Sequence, residues 1–566
     1  MPIQEKGELP NQQTPEFMSV NGQQQVKNAE GGYVYDVDPI KRLTRFLCLG
    51  TEGGTACTKE EELKKENVTS IEKMIADGRG EEAVETIRNI SVKHRCAKQK
   101  FPVFALAICA RANHENTRKA AYRVLPDVCR IPTDLFLFVR YCKEESGEGG
   151  WGRSHRRGVS GWYQSFRDNP MRLARLVTKY RTREKWSHQD VIRLAHPKEY
   201  SCELGFIFRY IAKGLEKAME PYRHNPTMVG MPDLQKIHAF LEACEVAMNS
   251  QDVTEVCRII REHRLDWQHV NNRMLSQSKI WEALLDHIPI EALLRNLGVM
   301  TSLGLFAEYE THVETVLLRL YNITTLHPSD NEDENEETGP ERSYAIHPFK
   351  ILLAYETYRS GSKTTGCNNW IPNKRILDAL MEAFHKSFQS LTPTGKKYCL
   401  AIDVGRTMGH TVMGVKGINC YTAAASMILT ITKVESRFDV FIFSDEYSRL
   451  VIDKNDDIKN ITRKMQNVNY SAGIDCSLPM FKAIEQKVKD YDVFCIYTCS
   501  DTYCGKIHAD EALRQYRHYS ENPNVKLVVC AMNSKGFTIA DPKDQGMLDV
   551  VGFDAATPEI IAKFCQ

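Results

Sequence analysis

Hydrophobic periodicity changes once along this chain, and that change constrains the fold more than any single motif. As far as Leu391, apolar residues recur every three or four positions, as in SIEKMIADG, EEAVETIRNI, FPVFALAICARA and SKIWEALLDHIP. That spacing makes helices which bury one stripe. After Pro393 the pattern turns into short runs rich in Val, Ile, Phe and Tyr (KYCLAIDV, RFDVFIFSDE, DVFCIYTCSD, VKLVVCAM), each followed by a helical stretch such as YTAAASMILTITKV. Alternation of strand and helix requires a mainly parallel sheet covered on both faces, with ligands expected at the carboxyl ends of its strands.

The fold class expected is therefore mainly α plus α/β. A polar N-terminus, residues 1–30, reads as disordered; residues 31–391 form the helical array and 392–566 the α/β domain. Short Pro or Gly loops between the helices suit pairs stacked as a HEAT-like solenoid, although no strict repeat period is present. The acidic run SDNEDENEETGPE, Ser329 to Glu341, reads as a solvated loop.

Composition removes several function classes. Lys and Arg number 74 against 73 Asp and Glu, so no global field draws the chain to nucleic acid or membrane, and any attraction must be local. The 18 cysteines are scattered through apolar runs such as LAICA and LVVCAM, as small buried hydrophobes in a reducing compartment. Neither Cys-x-x-Cys nor His-Glu-x-x-His occurs, nor a secretory signal core or an apolar run of membrane-spanning length. A soluble intracellular protein is expected.

Asp403, Asp445 and Asp501 stand at the ends of expected strands. Aspartates converging on one crevice need a cation or hydrogen-bond donors to balance them, and Mg²⁺ is content with two aspartates and one or two hydroxyls. This arrangement resembles the von Willebrand factor A-type domain, whose ion is held by Asp-x-Ser-x-Ser, a threonine on a second loop and an aspartate on a third. Here the first loop is Asp403-Val404-Gly405-Arg406-Thr407, the second has Ile474 where the threonine belongs, and the third keeps Asp501. Asp403, Thr407 and Asp501 are thus the candidate ligands of a degenerate site. Arg406, water or hydrogen bonds are expected to neutralise the site, so no cofactor is required, with Mg²⁺ the one ion the loop leaves open. An actin-like phosphate loop lacks its second copy, a P-loop lacks Gly-Lys-Ser/Thr, and no nucleophile–base pair has a supporting motif. No enzyme is expected.

Between Trp151 and Tyr200, twelve cations face four acids, a local excess of 12 − 4 = +8. At 100° per residue Arg172, Arg175, Lys179 and Arg183 fall on one helical stripe beside an apolar stripe of Leu173, Leu176, Val177 and Tyr180. A solvated helix face is the plain reading of such a row. The stripe, however, carries no acids at the spacing that normally pairs such a face, so a docking polyanion would relieve the repulsion. Arg153, Arg193 and His196 extend the set. Trp151, Trp162, Tyr163, Tyr180 and Trp186 lie in the same segment and can stack unpaired bases, with two or three of them expected in the core.

WGRSHRRGVSGWY, VTKYRTREKWSHQDVIRLAH, CRIPTDLF, ALLRNLGVMT, IHPFKILLAYETY, DCSLPM and GFTIADPKDQGMLDVVGFD together resemble the TROVE-domain Ro family of Y RNA ribonucleoproteins. The resemblance covers about Gly31 to the C-terminus. It implies a ring of HEAT-like helices, the TROVE domain, closed by a von Willebrand A-type domain. It also implies binding of small non-coding Y RNAs and of misfolded RNA 3′ ends in RNA quality control. The family's functional lysine, arginine and histidine fall on Lys179, Arg183 and His196. A monomeric, cytoplasmic and partly nuclear protein follows, without DNA or membrane partners and with protein partners reaching its C-terminal domain. The alternative is a protein-interaction scaffold working through that A-type domain.

Overall fold

The structure, a computed structural model, describes residues 26–27 and 33–565. Within that span it leaves out 51, 53–62, 64–67, 97, 146–150, 223–230, 309, 324–345, 347, 362–368, 387–392, 411, 413–417, 454–455, 467–472, 500–503, 506, 533–536, 542–543 and 553–556. The expected disordered N-terminus (residues 26–27 apart), the acidic loop and Asp501 lie outside the described residues. The chain folds as two compact units, Ile75–Ser387 and a discontinuous one that joins the residues up to Met74 to those from Phe388 onward.

Helices dominate the first unit, as the periodicity requires. Lys100–Arg111 is apolar on every side, and everything from Phe101 to Ala110 is buried. Such a helix can only be central; Phe104 meets Tyr141 of Pro132–Glu145 edge-on at 5.0 Å. Strands are almost absent from this unit. One two-residue hairpin, β3 (Thr182–Arg183) paired with β4 (Trp186–Ser187), interrupts the helices.

The second unit is built on a six-stranded sheet ordered β11-β9-β8-β5-β6-β7. Its strands are β5 (Tyr398–Asp403), β6 (Phe438–Phe443), β7 (Tyr447–Arg449), β8 (Val493–Thr498), β9 (Lys526–Ala531) and β11 (Met547–Val551). All neighbours run parallel except the edge pair β6–β7. Every residue of β5 and β8 is buried, the mark of central strands covered on both faces. The chain places β6 on one side of β5 and β8 on the other, so the order reverses at β5, where an open α/β sheet has its crevice.

Compactness groups the residues up to Met74 with the sheet unit. β2 (Tyr33–Asp36) pairs antiparallel with β10 (Phe537–Thr538), and the Tyr35 hydroxyl donates to Asp510 at 2.8 Å. From the helix Pro39–Leu49, Arg45 reaches Asp549 of β11 at 2.5 Å, with both side chains almost wholly buried. Partners some five hundred residues apart leave no trace in local periodicity, so these contacts cannot be read from the apolar pattern.

Candidate functional site

The basic segment folds into four pieces, not one long helix. Pro170–Lys179 starts on a good cap: the Asn169 side chain accepts from the Arg172 N–H at 3.0 Å and Pro170 occupies the first turn. It ends at Lys179, and Thr182 already belongs to β3. Arg183 therefore does not continue the stripe; the helical period was extended past the point where the backbone turns into a hairpin. That hairpin is followed by the helix His188–Ala195, which opens with a reciprocal capping box between Ser187 and Asp190. The remaining piece, Arg153–Gln164, precedes them all.

Two of the expected stripe residues are occupied by the protein itself. Lys179 Nζ lies 2.8 Å from Asp266 Oδ2, and both side chains are mostly buried. Asp266 is itself fixed by His269, whose Nδ1 accepts the Asp266 N–H at 3.0 Å while its Nε2 lies 3.1 Å from the Thr178 hydroxyl. Arg175 lies 4.6 Å over the Phe240 ring, with the carbonyls of His263 and Arg264 at 3.4–3.5 Å. Burial lowers its pKa, the nearby Asp266 opposing the shift. Two of the four cations of the expected row are thus engaged by a segment about ninety residues downstream, while Arg172 stays exposed without an ion pair.

The rest of the patch stands clear. Ten of the twelve cations are exposed: Arg153, Arg156, Arg157, Arg167, Arg172, Arg181, Arg183, Lys185, Arg193 and Lys198. Among them only Arg183 makes an ion pair, with its neighbour Glu184 at 3.5 Å. Three of the four local acids are engaged: Glu184 with Arg140 at 2.5 Å, Asp190 in the capping box, and Glu199 with Arg209 at 3.3 Å. Arg172 lies 5.8 Å from the Phe166 ring. His196 is exposed and caps its helix in the left-handed region at φ 49°. Arg156 and Arg157 were missing from the expected site, although their spacing from Arg153 already puts the three on one face, opposite buried His155, Val159 and Trp162. Gly158 lets this helix approach closely, since a Cβ there would lie 2.3 Å from the Tyr122 ring.

At the switch point of the sheet the loop has closed on itself. Asp403 is fully buried; its Oδ1 accepts the Gly405 N–H at 2.7 Å and its Oδ2 the Thr498 hydroxyl at 2.8 Å. Of the neutralising groups expected, hydrogen-bond donors meet Asp403, while Arg406 is exposed. Ile474, 5% exposed, takes the neighbouring space, and a Cβ on Gly405 would meet its Cδ1 at 2.5 Å. The Thr407 hydroxyl is buried without a hydrogen-bond partner, the one remnant of a ligand set at this loop. Asp445, the other strand-end carboxylate described, is exposed. Ile474 brings no oxygen to this loop, whereas a hard cation wants about six. Among the described residues, no three His, Cys, Asp or Glu side chains gather as a metal site.

Residues 26–354 match the TROVE domain and residues 397–565 the Ro60 vWA domain. The chain belongs to the TROVE-domain family of Ro60 proteins. It is 33% identical to the RNA-binding protein RO60 of Caenorhabditis elegans, across 95% of this chain and 90% of that one. With the RNA-binding protein RO60 of Deinococcus radiodurans it shares 30% identity over 96% of each chain. The crystal structure of the Deinococcus radiodurans Ro (RSR) protein superposes with a TM-score of 0.67 at 29% identity, covering 93% of this chain and 99% of that one. The basic segment thus lies inside the TROVE match, and the closed strand-end loop inside the vWA match.

Proposed function

We propose that this protein is a non-enzymatic RNA-binding protein of small ribonucleoproteins. It binds small non-coding RNAs of the Y type and the 3′ ends of misfolded RNAs, and acts in RNA quality control as a monomer in the cytoplasm and nucleus. The observation that carries this reading is the set of exposed arginines and lysines around Arg153, Arg156 and Arg157, of which only Arg183 has a carboxylate partner, on a chain of nearly zero net charge. Phosphate neutralisation with counterion release is the binding force such a surface offers, and backbone and 2′-OH contacts read shape more than sequence.

No cofactor takes part. Buried Ile474 packs against Gly405 beside Asp403 and offers no ligand atom, which supports this reading over a scaffold that holds its partner through an ion. The test is RNA affinity against salt concentration. Arg153→Gln/Arg156→Gln/Arg157→Gln should weaken binding and flatten the log–log slope by about 2–3 units, at roughly 0.9 per phosphate on a duplex. An unchanged slope and affinity would remove the proposal.

A further inference from the structure

This inference rests on the RNA binding proposed above and names what a part of that surface reads. The chain has six tryptophans. Trp162, Trp281 and Trp370 are buried and donate their indole N–H to main-chain carbonyls of Cys129, Leu275 and Tyr358, while the N–H of Trp267 is enclosed. Trp151 and Trp186 differ from all four. Both are half-buried, neither donates to a protein acceptor, and neither N–H is enclosed. A tryptophan keeps one end dry and one end wet where a further contact is to be made.

The two rings lie together, 6.0 Å apart at 54°. They are held from below by aromatic packing. Trp151 meets His155 edge-on at 4.6 Å, and His155 Nδ1 lies 3.2 Å from the Tyr122 hydroxyl. Trp186 is carried by the β3–β4 hairpin, whose two turn residues, Glu184 at φ 54° and Lys185 at φ 63°, both sit in the left-handed region. A tight turn of this kind normally has Asn-Gly; side-chain-bearing residues persist there when surrounding contacts hold them, here Glu184 on Arg140.

Cations surround the pair. Lys143 Nζ is 5.8 Å from the Trp186 ring centroid, Arg183 is the cross-strand partner of Trp186, Lys185 precedes it, and Arg153 follows Trp151 by two residues. Arg153, Arg183, Lys185 and Lys143 are all exposed. An open aromatic pair flanked by several exposed phosphate-binding charges is how proteins hold an unpaired base and its flanking phosphates. We infer that Trp151 and Trp186 form a stacking platform for an unpaired RNA base next to the duplex region gripped by the exposed arginines. The face then prefers RNA with a single-stranded flank or bulge over a blunt duplex.

The full-length protein should be titrated with three RNAs: a blunt hairpin, the same hairpin with a short single-stranded flank, and that flank made of abasic sugars, which keep the phosphates. Wild type should bind the flank with bases about tenfold or more tighter than the abasic one. Trp186→Ala and Trp151→Ala should erase that preference while leaving blunt-hairpin affinity and its salt slope unchanged, and Trp186→Phe should restore part of it. Equal binding of the two flanks by wild type, or an equal loss on blunt and flanked RNA in Trp186→Ala, overturns the platform. Failure of wild type to bind any of the three removes the RNA-binding reading itself, a distinct result. If the alanine variants do not fold, the wild-type comparison of the two flanks decides alone.

Discussion

Lys179 Nζ and Asp266 Oδ2 are 2.8 Å apart, and the pair is shielded: the lysine side chain is 14% exposed and the aspartate 19%. Asp266 is held in turn by His269, which reaches Thr178, the residue before Lys179, so the contact closes a loop of polar side chains between two helical segments. Lys179→Met should therefore lower stability, on the order of 2 kcal/mol, between the surface and the fully buried cases. Asp266→Asn keeps the shape and releases the charge. Its expected result is a steeper salt dependence of RNA binding, by about one unit of slope. If Lys179→Met leaves the melting temperature unchanged and lowers the slope, the lysine faces phosphate and not its aspartate.

Gly405 and Ile474 are a complementary pair. Gly405→Ser alone should cost about 1–3 kcal/mol, because the new Cβ overlaps Ile474. Ile474→Thr should relieve that overlap, so the double variant loses less than the sum of the two. It also restores hydroxyls beside Asp403, and Mg²⁺ should raise its melting temperature while leaving wild type unmoved. A Mg²⁺-dependent rise in wild type that disappears with Asp403→Ala would show that the loop opens to take an ion.

Burial holds several histidines neutral. It pushes His155 and His188 down to about 3, and His94 and His269 down to about 4. A histidine whose folded pKa lies below its ordinary 6.5 supports the fold above 6.5 and loses that support as pH falls toward the folded value. Each should cost about 1.4 kcal/mol per pH unit below 6.5. Asp134 acts in the opposite sense, since burial raises its carboxyl to about 7 and its contribution declines as pH climbs from 3.8 toward that value. Denaturant midpoints from pH 7 to 5 should thus fall less steeply for His188→Phe than for wild type; parallel curves would mean that His188 is already protonated or hydrated.

Arg45 and Asp549 tie the first helix to the sheet edge at 2.5 Å in a nearly dry setting. Arg45→Met strands the buried carboxylate and should cost about 3–5 kcal/mol, whereas Arg45→Met with Asp549→Leu should recover most of it. Urea unfolding measures both, and equal losses in the single and double variants would point to packing in place of charge.

The placement of the basic residues was legible in part, and the rest was not for identifiable reasons. Arg153, Arg156 and Arg157 share a face because i, i+3, i+4 spacing is a property of any helix, and they are exposed as that spacing requires. Arg183 was misassigned because the same spacing was carried past Lys179, where the helix gives way to a hairpin. Ile474 could be named as a lost ligand from the loop motif, but that it would pack against Gly405, and that the Thr498 hydroxyl would donate to Asp403 while Arg406 stays exposed, depends on contacts between separate loops and strand ends.

The order of apolar residues by itself determined a helical array followed by a parallel α/β sheet, since local burial periods are set within a few residues of each position. It also concentrated positive charge in one segment. Only the tertiary structure decided which charges remain free: Asp266 reaches Lys179, Phe240 shelters Arg175, and the strand Tyr33–Asp36 and the first helix join the chain's last strands. Those outcomes depend on through-space contacts between distant segments, where Coulomb attraction and burial depend on separation in space and not on separation along the chain.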